Sequence, residues 1–166
     1  MAETLHNQDF QIWIEKTIAS LKNRDFNSLD VENLIEELTE LGKLEKRTLE
    51  SNLMILLAHL LKLQVQHDAP SSMKDSWYSS IIEHRQRVLK NLRDTPSLKS
   101  YLETAIQSAY SDARTIAIKE SKLAKLGVRI PDENEYLMIC PFSVEQILDE
   151  DFFLPINRIN LPPQGR

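Results

Sequence analysis

The sequence predicts an all-α fold, a helical bundle of about four main helices followed by a short C-terminal helix and an extended proline-rich tail. Three observations carry this expectation. The 166 residues include only three glycines; the long middle stretch is rich in Leu, Glu, Lys, Ala and Ile, which favour helix over sheet; and apolar residues recur at three-and-four spacing in each long segment. The length suits one domain, expected over residues 1–154 with residues 155–166 as tail.

The first amphipathic segment is "DFQIWIEKTIASL", where Phe10, Trp13, Ile14, Thr17, Ile18 and Leu21 share a face, giving a helix over about Asp9 to Lys22. "NRDFNSLD" breaks it. Asp30 then suits an N-cap, because its carboxylate can accept the unpaired amides of the next first turn, while Leu29 and Leu34 stand at staple positions. From there Val31, Leu34, Ile35, Leu38, Leu41, Leu49, Leu53, Leu56, Leu60 and Leu63 keep one helical phase. An unbroken phase points to one long helix with its apolar arc inward, and leaves open a kink at Gly42. That glycine falls on the apolar side, where a missing side chain lets another helix approach closely.

"QHDAPSSMKDS" ends the long helix. The next carries Trp77, Tyr78, Ile81, Ile82, Val88, Leu89 and Leu92 on its apolar side, and "DTPSL" punctuates it, with Pro96 in the first turn of a further helix expected over Pro96 to Leu126. That helix presents Leu98, Leu102, Ala105, Ile106, Ala109, Ala113, Ile116 and Ala117, with Gly127 as its stop. The remainder holds most of the prolines and one compact helix start, "FSVEQI", in which Ser143 caps, Gln146 returns the capping box and Phe142 with Ile147 form a staple. The rest is expected to wrap the bundle, and "LPPQGR" to fray.

Composition narrows the function classes. Twenty basic against 25 acidic residues give a net charge of −5 and a pI near 5.4, so there is no bulk electrostatic case for nucleic acid. The basic positions Arg87, Lys90, Arg93, Lys119, Lys122, Lys125 and Arg129 read as a solvated face. Cys140 is the single cysteine, which excludes an intramolecular disulfide and suits a reducing compartment. Beside Pro141 in apolar company it reads as a small buried hydrophobe. The opening "MAETLHNQDF" lacks a secretory pattern, and "LMILLAHLL" is about half the length of a bilayer span. A cytoplasmic location is expected, without membrane association.

No phosphate loop can be assembled from glycines at 42, 127 and 165, and no Gly-x-Ser-x-Gly turn is present. His6, His59, His67 and His84 never pair at one-turn spacing. Glu3 and His6 stand three apart, but di-metal bundles need that pattern twice. No metal and no cofactor is expected.

Two sets of polar residues remain. Glu32, Glu36 and Glu40 lie four apart opposite the apolar arc, a solvent-side row that could serve as an acidic docking strip. Glu45, Asn52 and His59 recur every seven residues along the edge of that arc. Arg85 shares phase with Trp77, Ile81, Val88 and Leu92, so its guanidinium must snorkel out or find a partner, and Asp112 lies beside the arc of the following long helix. Three helices thus each bring a polar group to their inner side. One reading is an interhelical ion-pair and hydrogen-bond network that fixes register. The other is a small pocket with His59 as acid, base or ligand, Glu45 orienting it and Arg85 as anion clamp.

The chain resembles the bacterial, largely cyanobacterial family of domain of unknown function number twenty-nine. The likeness rests on "LDVENLIEEL" with "LG" following, "HLLK" at His59 to Lys62, "SW" at Ser76 and Trp77, Arg85, "PSL" at Pro96 to Leu98, Tyr110, Ala113 and Arg114, and "CPFSVEQILDEDFFLP". It implies an all-helical domain and no established activity. His59 and Arg85 fall on positions of the family pattern. The chain departs from that pattern by "HR" before Gln86 and by a longer "VRIPDENEYLMI" connection. The expected function is a non-enzymatic protein-interaction or regulatory module with a protein partner, a homo-oligomer being open. The alternative is a small ligand-binding or hydrolase-like bundle around Glu45, His59, Arg85 and Asp112.

Overall fold

The computed structural model describes residues 4–123 and 127–153. Among them every regular element is helical: α1 Leu5–Gln8, α2 Phe10–Lys22, α3 Val31–Val65, α4 Ser71–Asp94, α5 Leu102–Ser121 and α6 Val144–Leu148, with single-strand-free connections and 3-10 turns at Phe26–Ser28, Pro96–Tyr101 and Glu133–Glu135. Four of these helices are long, and the all-α expectation holds. The contacts divide the chain into two compact units, Met1–Leu44 and Glu45–Arg166. The expected tail, 155–166, lies outside the described residues.

In the first unit, Asp9 caps α2 by accepting from Ile12 N at 3.0 Å. The helix ends on Arg24, whose φ of 57° is left-handed. Asp25 N donates to Ser20 O at 2.9 Å and Arg24 N to Leu21 O at 3.1 Å, the paired bonds of a Schellman ending, here without the usual glycine. Asp30 is the cap the sequence predicts: its carboxylate accepts from Asn33 N at 3.4 Å and Asn33 Nδ2 at 2.6 Å, and also from Trp13 Nε1 at 3.3 Å. These bonds hold its pKa below the ordinary carboxylate value, the Asn33 side-chain bond most strongly. His6 Nε2 donates to Glu37 Oε1 at 2.7 Å, and its ring stands edge-on to Phe10 and Trp13. Only Trp13 and Thr17 of α2 are buried.

α3 runs through Gly42 as one helix, so the kink that periodicity left open is not formed. Its apolar arc has two fates. From Leu49 onward the arc is fully buried, and the consecutive buried run Leu56, Leu57, Ala58 shows α3 covered on several sides within the second unit. In the first unit Val31, Ile35, Leu38 and Leu41 are exposed, which corrects the expectation that the whole arc faces a core. Phase specifies which residues share a face; it does not supply the surface that covers it.

Around α3 in the second unit pack Trp77, Ile81, Val88 and Leu92 of α4 and the small-residue face of α5, Ala105, Ala109, Ala113 and Ala117. Ile82 is exposed rather than in the core. The expected Pro96-to-Leu126 helix is two pieces, a 3-10 turn followed by α5, and α5 ends at Ser121; its expected last turn, 124–126, lies outside the described residues. Gly127 does take a positive φ of 91°, but past the end of the helix. The capping box at α6 forms as read, with Gln146 N donating to Ser143 Oγ at 3.2 Å and Ser143 N to Gln146 Oε1 at 3.0 Å, and Phe142 and Ile147 are both buried.

Candidate functional site

Arg85 is the most informative of the residues singled out by sequence. It sits mid-α4 among apolar neighbours and is 1% exposed. Its Nε donates to Ile147 O at 2.8 Å and an Nη to Phe152 O at 2.8 Å, and the guanidinium lies 5.5 Å from the Phe153 ring centroid. Burial pulls its pKa down, while Asp149 and Glu150 support the charge. The guanidinium therefore pins α6 and the residues after it to α4, with Nε and one Nη engaged by backbone carbonyls and the other Nη buried without a partner among the described residues.

His59 is half-buried on α3, with its Nδ1–H donating to Ile55 O at 2.9 Å. Burial lowers its pKa, and Lys62 lowers it further. Glu45 is half-buried and Asp112 exposed. Among the described residues no hydrogen bond or ion pair joins any two of Glu45, His59, Arg85 and Asp112. Asn52, the middle member of the seven-residue series, does link helices: it accepts from His84 Nδ1 at 3.0 Å and donates to Thr48 O at 2.9 Å and Asn91 Oδ1 at 3.4 Å. Burial lowers the His84 pKa as well.

Among the interior polar groups that escaped the sequence reading are Lys62 and Gln66. Lys62 is buried, pairs with Glu120 of α5 and lies 5.1 Å from the Trp77 ring centroid. Gln66 is buried with neither side-chain amide atom bonded among the described residues. The signal for both was present, the lysine and the last glutamine of "LLKLQVQ" at Leu60 to Gln66, but periodicity alone names no partner for either.

A groove forms between α5 and the segment that leads into α6. It encloses about 470 Å³ and is lined by Ile106, Tyr110, Met138, Ile139, Cys140, Phe142 and Val144, with Glu103, Gln107 and Ser143 as its polar residues. The segment is strapped in place from behind. Tyr110 Oη donates to Leu137 O at 2.7 Å, Arg114 Nε to Tyr136 O at 2.9 Å and Arg114 Nη to Glu133 O at 3.1 Å. Arg129 donates to Val65 O at 2.8 Å and pairs with Asp68 and Glu135. Burial pushes the Tyr110 hydroxyl up to about 12 and raises the Cys140 thiol, so neither group is ionised at neutral pH, and a protonated thiol is a poor nucleophile. What the groove can do is take up apolar side chains.

Other expected surfaces are in open positions. Glu32 and Glu36 are exposed and Glu40 pairs with Lys43 at 2.7 Å. Of the basic residues, Arg87 pairs with Glu83, Lys90 with Asp94 and Lys122 with Glu133. Among the described residues no group of three or more His, Cys, Asp or Glu gathers in metal-binding geometry, and no helix is long and apolar enough to cross a membrane. Glu3 lies outside them, and His6 is held by Glu37.

A family model described as Domain of unknown function DUF29 matches residues 5–153. The chain belongs to the DUF29 family. No curated protein and no solved structure matches it. The DUF29 match takes in all six helices and both ends of the Arg85 clamp. Among the residues that carried the resemblance, Arg85, Tyr110, Arg114 and the described part of the stretch from Cys140 to Pro155 belong to the straps that hold the C-terminal segment.

Proposed function

We propose that this DUF29 chain is a non-enzymatic protein-interaction module whose binding surface is the groove between α5 and the Met138–Val144 segment. The observation that supports this most is the state of Met138 and Ile139, which are 77% and 83% exposed on a backbone fixed at Leu137 by Tyr110. Two adjacent large apolar side chains held out from a pinned strap are costly for a monomer, and such rigid apolar features beside a groove are the anchors of protein interfaces. The partner would contribute apolar side chains to the groove, and Glu103 gives the site a preference for a basic flank. A ligand-binding or hydrolase-like centre around Glu45, His59, Arg85 and Asp112 has less support, since Arg85 is 1% exposed and bonds Ile147 and Phe152, and among the described residues no hydrogen bond or ion pair joins any two of the four.

The test is affinity capture from the source cell with the wild-type chain and with an Ile139→Asp variant, alongside thermal unfolding of both. Expected is a reproducible partner that the variant loses while its melting temperature stays within about 2 °C, as surface substitutions usually allow. Capture that is indifferent to Ile139→Asp and to a second variant, Met138→Asp, would remove the groove from the account.

A further inference from the structure

The last described residues of the chain lie against the groove. Phe152 stands edge-on to the groove residue Phe142, with ring centroids 6.3 Å apart, and its carbonyl is held by Arg85. The chain therefore continues from a fixed point. It continues as "LPINRINLPPQGR", residues 154–166, which lie outside the described part. Leu154, Ile156, Ile159 and Leu161 are large and apolar, Arg158 and Arg166 are basic, and the segment has no acidic residue. Pro155, Pro162 and Pro163 disfavour helix at and before their positions. An extended form suits such a segment, and in it Ile159 and Leu161 share one side while Arg158 takes the other.

We infer that residues 156–161 of the same chain dock in the groove, with Ile159 and Leu161 entering it and Arg158 meeting Glu103 at its rim. The inference rests on the groove being a docking surface, and it names what controls access to that surface. Reach, charge and tethering favour this occupant over a second molecule. The groove follows α5 from Glu103 to Tyr110, about 10 Å at the helical rise, whereas the stretch from Phe153 to Leu161 extends up to about 25 Å. Glu103 is exposed and has no ion-pair partner among the described residues, so an arginine carried into the groove meets an open carboxylate. A short tether holds the segment at an effective concentration on the order of 1 mM. An intrinsic Kd of about 0.1 mM then suffices to fill the groove about nine-tenths of the time, and it lowers the apparent affinity of an outside partner about tenfold. The tail is thus a built-in competitor for the groove.

The full-length chain tests this with its single thiol as reporter, because Cys140 lines the groove. In the wild type a small thiol reagent should modify Cys140 about tenfold more slowly than in an Ile159→Asp, Leu161→Asp double variant, and the rate should not change with protein concentration. Arg158→Glu should speed the reaction, and adding Glu103→Lys should slow it again. Methyl NMR of the wild type should show contacts from Ile159 or Leu161 to Ile106 or Val144. Equal thiol rates in the wild type and the double variant, or the absence of those methyl contacts, overturns the inference. A wild-type rate that falls as protein concentration rises assigns the groove to a second copy's tail and overturns it as well. Failure here is distinguishable from failure of the partner: an empty groove still captures a protein that Ile139→Asp loses, whereas a docked tail in a chain that captures nothing removes the outside partner alone. Where both hold, the double variant should capture the partner about tenfold more tightly than the wild type.

Discussion

The two halves of α3 carry the same apolar pattern and have opposite surroundings. Leu49, Leu53, Leu56 and Leu60 are fully buried in the second unit, whereas Val31, Ile35, Leu38 and Leu41 of the first remain open. The polar groups divide in the same way. In the second unit Arg85, Lys62 and Asn52 are drawn inside and bonded to carbonyls, a carboxylate and amides; in the first, His6 bonds Glu37 and Asp30 accepts from Trp13 near the surface, and the apolar stripe of α3 stays exposed. The lesson is that burial requires a facing layer, and an amphipathic helix advertises a face without containing its complement.

The sharpest way to break this contrast is to remove the second unit's main clamp. Arg85→Ala leaves the carbonyls of Ile147 and Phe152 unpaired and takes out a buried side chain, so it should cost about 3–5 kcal/mol. Urea unfolding would read the loss, and proteolysis should then cut first around residues 147–153. A variant as stable as wild type would mean that the clamp contributes little. Next in size, Gln66→Met replaces an amide that has no partner among the described residues with an apolar chain of similar length. It should stabilise the second unit by about 1 kcal/mol; a loss of stability would show that the amide does have a partner.

The smallest effect separates the units by pH. His6 has its pKa raised, first by its bond to Glu37, so its contribution is complete below the ordinary imidazole value near 6.5 and is lost as pH rises through the raised value. His59 and His84 have theirs lowered by burial, so their contribution is complete above the ordinary value and is lost as pH falls toward the lowered ones. Between about pH 7.5 and about pH 5 the second unit should weaken and the first tighten. Histidine NMR titrations with amide exchange would register both trends, and a common direction in the two units would contradict the assignment.

Much of the fold was legible because it is local. Asp30 as a cap, the Ser143–Gln146 box and the break before Asp30 each depend on residues within a few positions, as does the Asp9 cap that the sequence reading took for the first helical residue. The end of α2 was less so: a left-handed Arg24 stands where glycine is usual. The polar residues were found but not their partners. Arg85 was correctly singled out as an arginine on an apolar face, yet it reaches residues 62 and 67 positions away in sequence rather than His59, and Asp112 points outward.

By itself, then, the amino-acid order settled the all-α class, the caps at Asp30 and Ser143 and which side chains share a face, since those follow from backbone hydrogen bonds and spacing over a turn or two. Only the tertiary structure decided which faces are covered, that Arg85, Tyr110 and Arg114 strap down the C-terminal segment, and that a groove opens beside Met138 and Ile139. Such pairings join distant positions, and helical period carries no information about them.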